Sequence, residues 1–479
     1  MDARQIERLR PRLNTFLAGF DDCFGRREPV EHLKTYVSGQ LSGLPRKSME
    51  PIADAAGTQP RTLQQFVSLH HWDEHRLGDN LQQRVAREHT PTHGLTIGIF
   101  DDTPHVKKGD KTPGVKRQWC GRLGKVENCV VTVHLAYVAG DFHCLVDGEL
   151  FLPENWSDDR ERCRAAKIPD DVVYRPKWQI ALGQRDRAVA NGIRLDWVTF
   201  DENYPMNPEF LFALDDRGQN YVGEVKRTYT GWLTGPALLY KRPPGAKGPT
   251  GRLPRLKKKS LPPITLENML KYSPQLRKIP WEKFHIKDTD KGPIVWEAKA
   301  APIYLKRDGL PTRPHCLIIA RNVENPDEVK FFLGNAPAGT PLEVLLHVGF
   351  SRAHVERCFE DEKSELGLSH FEMRHYRGLC RHLIITALTH LFLAETLQEW
   401  RGEKSGTDGL PTSHGHFRAG PLLVGVRPGP HKVPGKSGPH HPANAGPQPP
   451  GATVPREDQT QAITQARDQV VRAAMLHPE

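Results

Sequence analysis

LTIGIFDDT, residues Leu95 to Thr103, decides how the chain is read. Apolar and β-branched side chains run directly into two aspartates, the pattern of a buried strand that delivers carboxylates at its carboxyl end. In an α/β sheet that end is where ligands bind. Strand-end acids also act as turn formers, and by spacing alone Asp101 and Asp102 are equal candidates.

Working outward, NCVVTVHLAYV and DFHCLVDGELFLP, separated by Ala139-Gly140-Asp141, predict two more strands and a three-stranded meander. Lys177 to Asn191 predicts a helix, and LDWVTF a fourth strand ending in a second acid, Asp201. A short helix at Pro208 to Leu214 and a fifth strand, NYVGEV, follow. This alternation after a meander predicts a mixed α/β core with helices packed on the sheet. HCLIIARNV and VKFFLGNAP predict a hairpin, and Pro341 to Leu368 and Tyr376 to Trp400 predict long amphipathic helices.

The first of those helices carries FSRAHVERCFEDEKSELGL. Arg352, Glu356 and Lys363 fall near one face, at i, i+4 and i+11, with Phe359 and Leu366 turned toward the core. A salt-bridged solvent face would use the same residue types. Asp101, Asp201 and Glu356 can nevertheless converge to hold two divalent ions, about 3.5–4 Å apart in such sites. Their hard oxygens suit Mg²⁺ or Mn²⁺, and Arg352 and Lys363 beside them would grip flanking phosphates.

Residues 1–90 read as helical. RKSMEPIADAAGTQPRTLQQFV predicts a helix-turn-helix-like pair, with Ile52, Ala55 and Ala56 facing inward before the turn and Leu63, Phe66 and Val67 after it. Gly57 serves the turn, and Pro60 the first turn of the second helix. Arg61, Thr62, Gln64 and Gln65 then project outward, side-chain types that reach phosphates and base edges. Arg46 and Lys47, and Lys107 and Lys108 behind the first aspartates, add candidate DNA contacts. KRPPGAKGPTGRLPRLKKKS holds eight basic and no acidic side chains between Lys241 and Lys259, a candidate phosphate-tracking loop. From Arg401 the chain turns to Gly, Pro, His and Ser, a composition that cannot bury a core. Its histidines, His414, His416, His440 and His441, lack ligand spacing, and Thr460 to Met475 predicts a terminal helix. The expected organisation is a helical DNA-binding segment (1–90), a core in two parts (91–225 and 313–402) around a basic β-rich insertion (226–312), and a flexible tail (403–479).

At 479 residues the chain is long enough for about three domains. Sixty-seven Lys and Arg against 57 Asp and Glu leave +10, which favours a polyanionic partner without requiring one. Eight scattered cysteines with no C-x-x-C pair argue against a zinc ribbon and suit a reducing cytoplasm. The polar N-terminus lacks a secretory apolar core, and Leu383 to Ala394 is too short to span a bilayer.

The chain resembles bacterial insertion-sequence transposases of the DDE type, from about Phe16 to Trp400. The resemblance rests on FGRREPVEHLKTYVSG, the D-x-T at Asp101 and Thr103 with KKG behind it, WCGRLGKVENC, and RAHVERCFEDEKSELGL. The last matches the Y-x-x-R-x-x-x-E-x-x-x-x-x-x-K signature at Arg352, Glu356 and Lys363, with Gly349 at the tyrosine position and Phe350 beside it. The D-x-T spacing selects Asp101 over Asp102. The resemblance implies an RNase H-like core interrupted by a β-rich insertion, and cut-and-paste transposition on double-stranded DNA. It implies binding to terminal inverted repeats, metal-dependent strand cleavage, and joining of the freed 3′-hydroxyl to target DNA by a homodimer on paired ends, at the nucleoid. A transposase-derived DNA-binding regulator without chemistry, and a structure-selective nuclease, are the alternatives.

Overall fold

The computed structural model describes residues 3–241, 253–289 and 292–405. Most of the predicted basic loop (242–252) and the tail from 406 onward, with its histidines and terminal helix, lie outside the described residues.

Five helices open the chain: α1 (Ala3–Ala18), α2 (Arg27–Leu41), α3 (Met49–Ala55), α4 (Pro60–Ser68) and α5 (Glu74–Glu88). Gly57 turns α3 into α4 at φ +66°, where a Cβ would be strained. Pro60 occupies the first helical position of α4, where its missing N–H costs nothing. Leu63, Phe66 and Val67 are buried, which leaves Arg61 and Gln64 exposed on the outer face of α4. In α3 the inward residues are Ile52 and Ala53; Ala56 lies past the helix end and is exposed, contrary to the spacing argument. Asp73 caps α5 by accepting from the backbone N–H groups of His75 and Arg76.

The meander is β1 (Thr96–Val106), β2 (Lys116–Cys120), β3 (Lys125–Ala139) and β4 (Phe142–Leu150). Helices α6 (Glu154–Ser157), α7 (Arg160–Ala165) and α8 (Lys177–Ala190) follow, then β5 (Trp197–Phe200), α9 (Glu209–Asp216) and β6 (Val222–Val225). β1 is longer than LTIGIF implies. Antiparallel pairing with β3 carries it to Val106 opposite Cys129, so Asp101 lies inside the strand and not at its end. What stops at Asp101 is the parallel pairing with β5, whose last pair is Phe100 with Phe200. The aspartates that follow these two residues therefore emerge side by side. A parallel bridge from Val198 to Tyr221 places β6 next to β5, so the strand order is β4-β3-β1-β5-β6, with β2 beside β4 on the outer edge of β3.

The next stretch holds β7 (Thr230–Gly231), β8 (Leu238–Lys241), β9 (Leu253–Leu256), β10 (Ile264–Thr265), α10 (Leu266–Tyr272) and α11 (Pro274–Lys278). A second sheet is then built from β11 (Glu282–Thr289), β12 (Gly292–Arg307), β13 (Leu310–Asn322) and β14 (Val329–Gly334), in the order β11-β12-β13-β14-β6. β14 pairs antiparallel with β6, so this sheet is joined edge to edge to the first. The chain closes with α12 (Leu342–Phe350), α13 (Ala353–Asp361), a π-helical turn at Glu362–Leu366, and α14 (Tyr376–Ser405). The molecule is a mixed α/β protein whose helices cover both sheet faces. Asp102 meets Lys177 of α8 on one face, while Asp101 meets Arg352, at the start of α13, on the other.

Gly223 shows how tightly β5 and β6 approach. A Cβ there would fall 1.9–2.4 Å from atoms of the Phe200 ring, which cannot move without shifting the residue before Asp201. Gly223→Ala is expected to lose about 1–3 kcal/mol of stability through overpacking, read as a lower urea midpoint; an unchanged midpoint would contradict this packing.

The N-terminal helices share an apolar core with α14. Across that contact Tyr36 Oη donates to His382 Nδ1 (3.0 Å), and His382 Nε2 donates to the Leu368 carbonyl (3.1 Å). Burial, with Lys107 and His370 adding repulsion, holds His382 at about 4. Its pKa is lower in the fold than in the unfolded chain, so between pH 6.5 and 4 the unfolded chain binds the extra proton. Stability is therefore lost as pH falls through that window, about 3 kcal/mol from this residue. His382→Gln should flatten the stability-versus-pH curve between those values, measured by urea unfolding; an unaltered slope would refute it. Among the described residues no helix is long and apolar enough to cross a membrane.

Candidate active site

The parallel β1–β5 pair ends where the two chains part, and the carboxylates sit there. Asp201, just beyond β5, is held by its neighbour: the Asn203 backbone N–H donates to Oδ1 (3.0 Å) and Asn203 Nδ2 to Oδ2 (2.8 Å). Asp101 Oδ2 accepts from Arg352 Nη1 (3.3 Å), and the same guanidinium donates through Nη2 to Glu356 Oε1 (2.6 Å). Glu356 lies in the first turn of α13, where the helix dipole favours an anion.

The electrostatics show how closely these groups converge. Burial pushes the Asp101 carboxyl up to about 8, with repulsion from Asp201 and then Asp102 adding to it and Arg352 opposing it. Arg352 is held firmly charged; burial works against it, but Asp101, Glu356, Glu224 and Asp201 all favour its cation. The buried Tyr204 phenol is pushed far above its usual range by burial and then, in decreasing order, by Asp102, Asp101 and Asp201.

Side-chain alternation separates the two adjacent aspartates. Asp101 and Thr103 share the face of β1 that α13 covers, and Lys363, from the π-helical turn, donates to Thr103 Oγ1. Burial lowers Lys363 to about 8. Asp102 faces α8, where Lys177 Nζ donates to it at 2.8 Å. The D-x-T spacing thus describes one face of one strand. At the tyrosine position of the signature, a Cβ on Gly349 would come within 3.1 Å of the Phe332 ring. The neighbouring Phe350 packs on Trp296 and Phe332, with ring centroids 5.0 and 5.6 Å away.

The other candidate contacts divide into two groups. Arg61, Gln64 and Lys108 are exposed, and Arg46 is exposed but ion-paired with Glu372. Lys47 and Lys107 are spent internally. Lys47 Nζ donates to the carbonyls of Gln40 (2.7 Å) and Glu365. Lys107 Nζ donates to those of Ser369 (2.9 Å) and Phe371 (2.6 Å) and lies over the Phe371 ring. Instead of facing solvent, the Lys47 ammonium pins the π-helical turn and that of Lys107 the segment after it. Asn203, Lys177 and Glu224 also belong to the site: Asn203 through the Asx turn in which Asp201 accepts from the backbone N–H two positions on, the other two through tertiary contacts alone.

A separate group, Glu88, His89 and Glu395, brings three potential ligand atoms within 4.8 Å of one another. Arg84 already occupies it, through Nε to Glu395 at 2.7 Å and Nη2 to Glu88 at 3.0 Å. It is an arginine-locked clasp between α5 and α14.

Carboxylates from two adjacent strands and a helix gather here, and the chain belongs to the DDE superfamily endonucleases, whose family pattern matches residues 19–292. That match takes in Asp101 and Asp201. The chain is also similar to the probable transposase for insertion sequence element IS701 of Microchaete diplosiphon, 29% identical over 203 residues that make up 42% of this chain and 50% of that protein. It thus spans about half the length of this curated relative.

Proposed function

We propose that the protein is a DNA transposase that cuts the ends of its element and joins the freed 3′-hydroxyl to target DNA, with Asp101, Asp201 and Glu356 as its catalytic acids. The observation that carries this reading is the Arg352 guanidinium bonded to both Asp101 and Glu356, with Glu224 and Asp201 also bearing on its charge. The strand order β4-β3-β1-β5-β6, with three antiparallel strands followed by two parallel ones, supports an RNase H-like core interrupted after β6 by the β-rich segment. The exposed Arg61 and Gln64 on α4 support a helical DNA-binding segment at the N-terminus.

Endonucleases of this kind work with divalent metal ions, and the residues present fit them. The donors are hard carboxylate oxygens, and the burial that pushes Asp101 up, with repulsion from Asp201 and Asp102 added, is what a bound cation would offset. Asp101, Asp201 and Glu356 would hold Mg²⁺ or Mn²⁺, which when bound supply Lewis-acid stabilisation of the charge developing in phosphoryl displacement. Asn203 keeps the Asp201 carboxylate in one orientation. Arg352 and Lys363 supply the charge that holds the scissile and flanking phosphates in place. A homodimer on two paired ends follows the same reading.

The test is incubation of the full chain with a duplex carrying the inverted repeats that flank its reading frame, plus Mg²⁺ or Mn²⁺. End-specific nicking followed by joined products is expected. Tight binding without cleavage would replace this reading by a DNA-binding regulator, and cut ends that never join by a nuclease.

A further inference from the structure

The segment WCGRLGK has no part in the chemistry just described, yet it forms one of the most exposed features of the sheet. β1 leaves β3 at Val106 opposite Cys129, while β3 begins at Lys125 and is paired there by β2 alone. Gln118 to Glu127 is therefore a two-stranded ribbon running on past the end of β1, closed by Gly121–Leu123 and by Gly124 at φ +60°. On it Trp119 stands directly opposite Val126, and Arg117 opposite Asn128.

Cross-strand partners share a face, and faces alternate along a strand. From Val126 and Asn128 the same face continues along β3 through Thr132 and His134, whose partners on β1 are Thr103 and Asp101. Trp119 thus lies on the sheet face that carries the candidate active site. It is 64% exposed and Val126 51%, the former large for an indole with so much apolar surface. The hairpin carries Lys116, Arg117, Arg122 and Lys125 against one acid, Glu127, which pairs with Lys125 at 3.3 Å, and Arg117 shares the face of Trp119. Among the described residues the other three cations have no ion pair.

An open aromatic face amid unpaired cations matches the chemistry of unpaired nucleic acid. Bases stack on the ring in a sequence-tolerant way, and the cations follow the backbone. We propose that this hairpin grips unpaired DNA at the cut end, Trp119 stacking on a base while Arg117, on the same face, and Arg122, at the tip, hold the adjoining phosphates. The assignment of the strand to the cut end rests on the reading of the protein as a DNA-cutting enzyme; the binding surface does not.

The experiment titrates the full chain into fluorescein-labelled oligothymidine and, separately, into a blunt duplex, following anisotropy without metal. Trp119→Ala should weaken oligothymidine binding roughly tenfold, Trp119→Phe should restore most of it, and duplex binding should hardly change. Arg117→Ala and Arg122→Ala should each reduce the salt dependence of oligothymidine binding by about 0.7 in the log–log slope. Equal binding by wild type and Trp119→Ala, or no binding by wild type, overturns the proposal. So does a wild-type dimer that Trp119→Ala converts to monomer, which would make the exposed ring an interface with a second copy. Oligothymidine carries no element end, so a protein that shows the Trp119 effect yet cuts nothing upholds the hairpin and defeats only the cleavage reading.

Discussion

Glu356→Gln, Asp201→Asn and Asp101→Asn are each expected to lower end cleavage roughly a thousandfold or more, about 4 kcal/mol of barrier, while binding of end-bearing DNA is unchanged or tighter. The sign of the binding effect follows from charge. Each substitution removes one negative group from the neighbourhood of Arg352, so the face offered to phosphate becomes more cationic. The loss in rate follows from the donor set, because an amide is a poorer ligand for a hard cation and leaves the others to hold it alone. Asp102→Asn provides the internal contrast. Asp102 points to Lys177 on the opposite face, so this variant should be less stable but retain much of its cleavage. The measurements are nicking of a labelled duplex with Mg²⁺ or Mn²⁺, anisotropy for binding, and urea unfolding. Full activity in Glu356→Gln, or inactivity in Asp102→Asn with activity in Asp101→Asn, would remove the present assignment.

What the amino-acid sequence disclosed about this site, and what it hid, divides along one physical line. Patterns that depend on a residue's own strand or helix were readable: the apolar runs before Asp101 and Asp201, the helical spacing of Arg352, Glu356 and Lys363, and the turn at Gly57. Properties set by a neighbour were not. β1 runs on past Asp101 because β3 is long enough to pair with it, and nothing within LTIGIFDDT records the length of β3. Alternation places Asp101 and Asp102 on opposite faces, but only the packing of α13 on one face and α8 on the other tells which acid meets Arg352. Lys47 and Lys107 look like surface cations in sequence. Their ammonium groups instead donate to buried carbonyls, three of the four contributed from 262 to 318 residues away, with burial lowering them to about 8 and about 7. Charge in a sequence counts side chains, not the ones left over after the fold has used its share.

Arg381→Met is the second large effect, expected to cost about 3–5 kcal/mol, the range for breaking a buried ion pair from one side. The Arg381 side chain is fully buried on α14, and its guanidinium reaches every part of the α4–α5 junction. Nη1 donates to the carbonyls of Phe66 (3.2 Å) and His70 (2.8 Å), and Nη2 to that of Trp72 (2.7 Å) and to Glu74 Oε2 (3.0 Å). The plane lies 4.1 Å from the centroid of the Trp72 ring. The carbonyls from the end of α4 are the negative pole of that helix, so a cation there is doubly favoured. Methionine matches the stem but leaves these acceptors without a donor in a buried place, and Glu74 with Arg377 alone. Arg381→Lys should recover only part of the loss, because one ammonium cannot reach acceptors arranged around a planar fork. Since α4 carries the exposed Arg61 and Gln64, the damage should begin there. Hydrogen exchange should show α4 opening before the sheet, and binding of end DNA should weaken in parallel. Uniform loss of protection across α4 and β1 together, or a urea midpoint equal to wild type, would show that Arg381 is not the tie between these helices.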